Sequence, residues 1–259
     1  MINNENLLEV KNLGISFGGL KAVNGVDFTM KKGELLGLIG PNGAGKTTLF
    51  NMLSGVYTPT EGDIILDGKR VNGLRPDKLS KEGVARTFQN IRLFDNLTVL
   101  DNVKLAMNQY MEYGVFAGMF RLPKYWREEK DASEKAKEIL RVFDLEKYFR
   151  AFAGSLPYGA QRKLEIARAM ATRPKLLLLD EPAAGMNDTE TKDLMKAIKM
   201  IRDKTNIGVL LIEHDMNLVL GISERLIVLN HGEILAKGNP KEVINNEDVI
   251  TAYLGSGRS

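Results

Sequence analysis

Gly40 to Thr48 reads G-P-N-G-A-G-K-T-T and contains the spacing G-x-x-x-x-G-K-[ST]. Gly40, Gly45, Lys46 and Thr47 take the fixed places, with Pro41, Asn42, Gly43 and Ala44 between them and Thr48 behind. Glycines let successive backbone N–H groups converge on an anion, and a helix start adds its dipole. Lys46 then supplies a point charge for β- and γ-phosphates, and the Thr47 hydroxyl is a hard oxygen suited to Mg²⁺. The alternative is a glycine-rich turn with an incidental lysine. Against it stand the flanks: an apolar strand pattern, Leu35 to Ile39, precedes the loop, and a helical pattern, Leu49 to Leu53, follows. Strand, glycine loop and helix form the context a phosphate loop needs.

Other chemistry-bearing residues lie further along. Leu176 to Leu179 is a run of leucines ending in Asp180-Glu181. A carboxylate at the end of a central strand beside a phosphate loop suits the Mg²⁺ side of a nucleotide site. Glu181, one residue on, points elsewhere and could take a proton from an attacking water. Val209 to Ile212 is a second buried strand, ending in Glu213-His214-Asp215. His214 therefore sits where strand C-termini face a ligand crevice; His231, the other of the two histidines, falls in a turn. Gln89 follows the short strand Val84 to Phe88 and could reach a metal or a water; alone it reads as a solvated loop residue. Phe17, beside Gly18-Gly19, could stack on a base or fill a hairpin core. Ser155 to Lys163 opens a helix near Tyr158 and Gly159, with Pro157 suited to its first turn. An exposed helix start there is a second potential anion site.

The elements that must hold these residues predict an α/β protein. Leu7 to Leu13 and Val26 to Met30 alternate as antiparallel strands, and Glu61 to Lys69 reads as a hairpin arm with an Asp-Gly turn. From Asn90 to about Ser155 the pattern is helical. Thr98 caps one helix, and a charged helix runs from Glu128 to Phe143. Between them, Tyr113 to Trp126 is apolar, aromatic and broken by Gly114, Gly118 and Pro123, a helical cap or a docking surface. The expected organisation is one domain over 1–259. In it 1–89 and 160–259 form a P-loop core with a mainly parallel sheet and an N-terminal antiparallel part, and 90–159 is an inserted helical subdomain.

Composition narrows the classes. The 259 residues are 44% hydrophobic and 27% charged, enough for a full core. The net charge of +3, without blocks of like charge, implies no nucleic acid. There is no cysteine, hence no disulfide and no thiolate metal site. No apolar run approaches the roughly 18 residues of a membrane span, and the polar start M-I-N-N-E-N gives no expectation of a signal peptide.

In this order the motifs resemble the ATPase subunits of ABC transporters. The resemblance covers almost the full chain and implies an ATP-binding, ATP-hydrolysing enzyme with ATP and Mg²⁺ as cofactors. By position, Phe17 matches the aromatic that stacks on adenine, Gly40 to Thr48 the Walker A segment, and Gln89 the lid glutamine at Mg²⁺ or the attacking water. Asp180 matches the Walker B aspartate, Glu181 the catalytic glutamate, His214 the switch histidine at the γ-phosphate, and Ala183 to Asn187 the dimer-interface loop. Tyr158 and Gly159 fall in the signature segment, usually L-S-G-G-Q and here Leu156-Pro157-Tyr158-Gly159-Ala160. Pro157 thus replaces a γ-phosphate-binding serine, and Asn187 the usual aspartate.

With one phosphate loop, the resemblance implies a dimer with a second ABC ATPase subunit, the same chain or another. It would sit beneath transmembrane permease subunits at the cytoplasmic face, served indirectly by a periplasmic or extracellular substrate-binding protein. The segments Val84 to Phe94, Leu156 to Ala169 and Asp180 to Asn187, with I-E-H-D-M and a C-terminal A-Y-L-G, are similar to the branched-chain amino acid importers. Urea or lipopolysaccharide transport, or a soluble non-transport ABC ATPase, are the alternatives.

Overall fold

The computed structural model describes residues 5–107 and 123–255. The chain packs as two compact units, divided at Arg86/Thr87, Pro174/Lys175, Pro182/Ala183 and Met200/Ile201.

The first unit holds two sheets. Strands β1 (Asn6–Phe17), β2 (Leu20–Lys31), β4 (Glu61–Leu66) and β5 (Lys69–Arg70) form an antiparallel sheet in the order β2-β1-β4-β5. Strands β3 (Leu35–Ile39), β6 (Val84–Arg86), β7 (Leu176–Asp180), β8 (Gly208–Ile212), β9 (Arg225–Asn230) and β10 (Glu233–Gly238) form the second, in the order β10-β9-β3-β8-β7-β6. Its neighbours are all parallel except β9 and β10. Every residue of β3, β7 and β8 is buried, which is why they read as unbroken apolar runs.

Alternation along these strands feeds two cores. Leu36, Leu38, Leu176, Leu178 and Ile212 join Leu49 and Phe50 of α1 (Lys46–Leu53) and Leu8 and Met30 of the antiparallel sheet. On the other face Ile39, Leu226 and Val228 pack with Val219 of α7 (Met216–Ile222), Val243 of α8 (Pro240–Ile244) and Val249 of α9 (Glu247–Gly255). The Asp67-Gly68 turn has both residues at positive φ, as its hairpin requires. Helix α2 (Pro76–Glu82) is among the helices the sequence reading did not name, as are α7 and α9; it has proline in its first turn and Gly83 closing it.

The second unit is helical. Helices α3 (Val99–Met107), α4 (Pro123–Val142) and α5 (Tyr158–Ala171) pack on one another, and the first part of α6 (Asp188–Thr205) belongs to the same unit. Buried Ala132, Ala136 and Leu140 lie four residues apart and form the inward stripe of α4. Thr98 accepts from the Asp101 N–H at 3.0 Å, the expected cap. Pro123 is the first described residue of α4, which runs unbroken to Val142. The expected boundary at 159/160 falls inside α5, whose packing on α3 and α4 carries the unit on to Pro174. Most of the Tyr113 to Trp126 stretch lies outside the described residues.

Candidate functional site

Strand β3 ends at Ile39 and the glycine loop begins. A Cβ at Gly40 would stand 2.1 Å from the Leu229 carbonyl oxygen, so only glycine fits. Gly45 precedes α1 at φ 100°, a left-handed turn that aims the helix start at the loop. Lys46 is buried, and its Nζ donates to the carbonyls of Gly40 at 2.7 Å and Pro41 at 2.9 Å. Burial pulls its pKa down, while Glu181 and then Asp180 push it back up. The ammonium therefore lies within the field of both carboxylates. Ala44 is buried; Asn42, Gly43 and Thr47 are exposed, and Pro41 and Thr48 are half-buried. The loop thus opens to solvent at the residues that would meet an anion.

Val84 and Leu178 face the α1 side of the sheet, and strand alternation puts Arg86 and Asp180, two residues on, on that face too. Arg86 Nη2 donates to Asp180 Oδ2 at 2.9 Å. Its Nη1 donates to Asn51 Oδ1 at 2.7 Å and to Ser54 Oγ at 2.9 Å, both at the far end of α1. The guanidinium also lies 5.6 Å from the Phe50 ring centroid.

One residue past β7 the backbone turns sharply: Glu181 has φ 47°, in the left-handed region that non-glycine residues avoid. Its N–H still donates to the Ile212 carbonyl at 2.9 Å, which carries the ladder with β8 one step further. The side chain thereby leaves Asp180 and meets His214, with Oε1 and Nε2 2.6 Å apart. Which of the two donates depends on the His214 tautomer. Lys46, Asp180, Glu181 and His214, expected from sequence to act together, are gathered at the C-terminal ends of β3, β7 and β8. Phe17 is 46% exposed and meets Tyr57 edge-on at 5.3 Å, so one ring braces the other and leaves surface for a base.

The helical unit carries the remaining positions. Gln89 is exposed, three residues past the end of β6 at Arg86 rather than directly after a strand reaching Phe88. The main chain around it is gripped by α5. Arg162, 2% exposed, donates to the carbonyls of Phe88, at 2.9 Å, and of Gln89. Arg162 also pairs with buried Glu165, which accepts from the Phe88 N–H. Burial raises the Glu165 pKa, and Arg162 opposes it. Pro157 stands at the cap before α5, not in its first turn, and Tyr158 is 45% exposed. At this helix start Pro157 and Tyr158 are exposed but Gly159 is buried: a Cβ on it would lie 2.5 Å from Glu190 Oε1. Glu190 in turn forms a reciprocal capping box with Asn187, at 3.1 and 3.0 Å. Asn187 therefore has a local use in starting α6. Gly185, at φ 77°, lies against the Tyr158 ring.

Sequence reading missed Arg86, Arg162 and Glu165. Arg86 is a single charge in a short apolar strand, and Arg162 and Glu165 sit among polar neighbours, patterns that solvated faces also show. Among the described residues no cluster of three or more His, Asp or Glu could hold a metal alone. Mg²⁺ in nucleotide sites is held by one or two protein oxygens together with phosphates. Asp180 and Thr47 fit such a donor set, with Lys46 and Arg86 balancing Asp180 and Glu181 in charge.

A parallel sheet, a phosphate loop and strand-end carboxylates define a P-loop NTPase. A family model described as ABC transporter matches residues 23–184, and one described as branched-chain amino acid ATP-binding cassette transporter matches 233–258. The chain is 49% identical to the high-affinity branched-chain amino acid transport ATP-binding protein BraF of Pseudomonas aeruginosa, over 96% of this chain and 98% of that one. A crystal structure of the ADP conformation of an ATP-binding cassette of an ABC transporter superposes with a TM-score of 0.83 at 32% identity, covering 96% and 99% of the two chains. A dimeric post-hydrolysis state of an ATP-binding cassette bound to ADP and Pi gives 0.75 at 26%, covering 90% and 98%. This chain belongs to the ABC transporter family, as an ATP-binding cassette.

Proposed function

We propose that this ABC ATPase powers import of branched-chain amino acids from the cytoplasmic face of a membrane, paired with a second ATPase subunit beneath transmembrane permeases. No helix among the described residues is long and apolar enough to cross a membrane, so permeation falls to partners. The observation that carries the catalytic reading is the Glu181–His214 pair at 2.6 Å, with buried Lys46 beside it.

In this reading Phe17 stacks on adenine. The N–H groups of Gly43 to Thr48 and the Lys46 ammonium hold the β- and γ-phosphates, Lys46 exchanging its bonds to the Gly40 and Pro41 carbonyls for phosphate oxygens. Thr47 and Asp180 offer oxygens for Mg²⁺, which when bound neutralises phosphate charge. Glu181 takes a proton from the attacking water as a new P–O bond forms and the bond to the ADP oxygen breaks. His214 holds Glu181 in place and meets the γ-phosphate.

Tyr158 and Gly159 face the partner's nucleotide in a closed dimer, in which the Gly159 N–H and helix dipole replace the serine that Pro157 displaces. Glu190 must move aside for that contact. The higher affinity of the closed dimer for ATP than for ADP drives the permease. A substrate-binding protein delivers the amino acid on the far side.

The test is purification of the chain from its native membrane with whatever subunits accompany it. Hydrophobic permeases and ATPase activity stimulated by a leucine-loaded binding protein are expected. Recovery without any membrane protein overturns the transport reading; stimulation by a different cargo overturns the substrate.

A further inference from the structure

We propose that Arg86 is a positioning residue that holds the Asp180 carboxylate in the orientation from which it serves Mg²⁺. The inference rests on the reading of Asp180 as the metal-side carboxylate. The pair is buried, with side chains 7% and 9% exposed. Burying two opposite charges brings little net stability, so core-filling is a poor reason for placing an arginine here. Orientation is a better one. The guanidinium is planar with fixed donor directions, and it is tied at three points: Asp180 Oδ2, Asn51 Oδ1 and Ser54 Oγ.

Asn51 and Ser54 belong to α1 and its C-cap, and Ser54 Oγ is itself anchored on the Phe50 carbonyl at 2.7 Å. The negative end of α1 favours a cation at this place. The same helix starts with Lys46 and Thr47. One helix of about two turns thus carries the phosphate-binding residues at its head. Its tail carries the anchor of the arginine that grips Asp180. A shift of α1 relative to β7 is resisted by this link, which holds the Thr47 hydroxyl and the Asp180 carboxylate in a constant relation. Lysine could supply the charge but not the fork.

The experiment uses the full chain and a fluorescent ATP analogue, with affinity measured in EDTA and in excess Mg²⁺. The variants are Arg86→Met, Arg86→Lys, Asn51→Ala and Asp180→Asn, each with a thermal melt. For Arg86→Met the gain in affinity on adding Mg²⁺ should shrink about tenfold or more, while affinity in EDTA stays within about twofold. Arg86→Lys should recover part of the gain. Asn51→Ala, which keeps the charge but removes one of the two Nη1 bonds and leaves the one to Ser54, should lose a smaller part. In an Asp180→Asn background Arg86→Met should change the Mg²⁺ gain no further.

A full Mg²⁺ gain in both Arg86→Met and Asn51→Ala, with Asp180→Asn having lost it, overturns this inference alone. Equal losses in EDTA and Mg²⁺ reduce Arg86 to a structural residue and also overturn it. A full gain in Asp180→Asn overturns the reading of Asp180 itself, and this inference with it. If Arg86→Met does not fold, Asn51→Ala and Arg86→Lys decide on the same readout.

Discussion

Glu181 Oε1 lies 2.6 Å from His214 Nε2, across the C-terminal ends of two neighbouring parallel strands. The left-handed backbone at Glu181 makes this meeting possible by turning its side chain away from Asp180. Two adjacent carboxylates are thereby given different partners, Arg86 for one and His214 for the other. In the proposed reading this division leaves Asp180 to the metal and Glu181 to the proton. Glu181→Gln should keep ATP binding and lose about 10²-fold or more in turnover, trapping a nucleotide-bound dimer. Steady-state ATPase rate and size-exclusion chromatography with ATP check it; a normal rate removes Glu181 from the chemistry.

Lys46 is buried and its charge is partly supported by Glu181 and Asp180. Replacing it by alanine removes the phosphate counter-charge and leaves those carboxylates facing an anion. ATP affinity should fall about tenfold to a hundredfold, the worth of a charged hydrogen bond. Equilibrium binding measures this, and unchanged affinity would show that the loop amides suffice.

Arg162 and Glu165 form a pair 2% and 4% exposed that holds the main chain at Phe88 and Gln89. Arg162→Met leaves a buried carboxylate without this partner and should cost about 3–5 kcal/mol in urea unfolding. Exchanging both residues for leucine should recover much of that stability, because the uncompensated charge is then gone. A single variant as stable as the parent would show that water reaches the pair.

Asp67 receives Lys175 at 2.7 Å and Lys32 at 2.8 Å, and these bonds hold its carboxyl at about 2, below its ordinary 3.8. A carboxyl whose pKa falls on folding stabilises the fold above its unfolded value and loses that stability as pH drops through the folded one. Asp67→Asn should therefore lower the melting temperature at neutral pH, with the difference closing between about pH 4 and pH 2. Both lysines are about half exposed, so the effect should stay under about 1 kcal/mol. A difference that persists at pH 2 would assign it to the turn instead of the charge.

What the sequence determined by itself are the features written in neighbouring residues. The phosphate loop, the leucine run of β7 ending in Asp180-Glu181, the strand-end His214 and the Asp-Gly hairpin all follow from spacing and period, because main-chain geometry repeats locally. So does the α/β class. Tertiary structure alone decided the partners. Arg86 finds Asp180 across 94 positions because β6 pairs with β7 in one register. Glu190 covers Gly159 because α6 starts where its capping box places it. The α5 helix joins the helical unit because its buried stripe meets α3 and α4. A local pattern states that a charge is present in an apolar stretch. Only the packed chain, with its cost for every unpaired buried charge, determines what that charge must face.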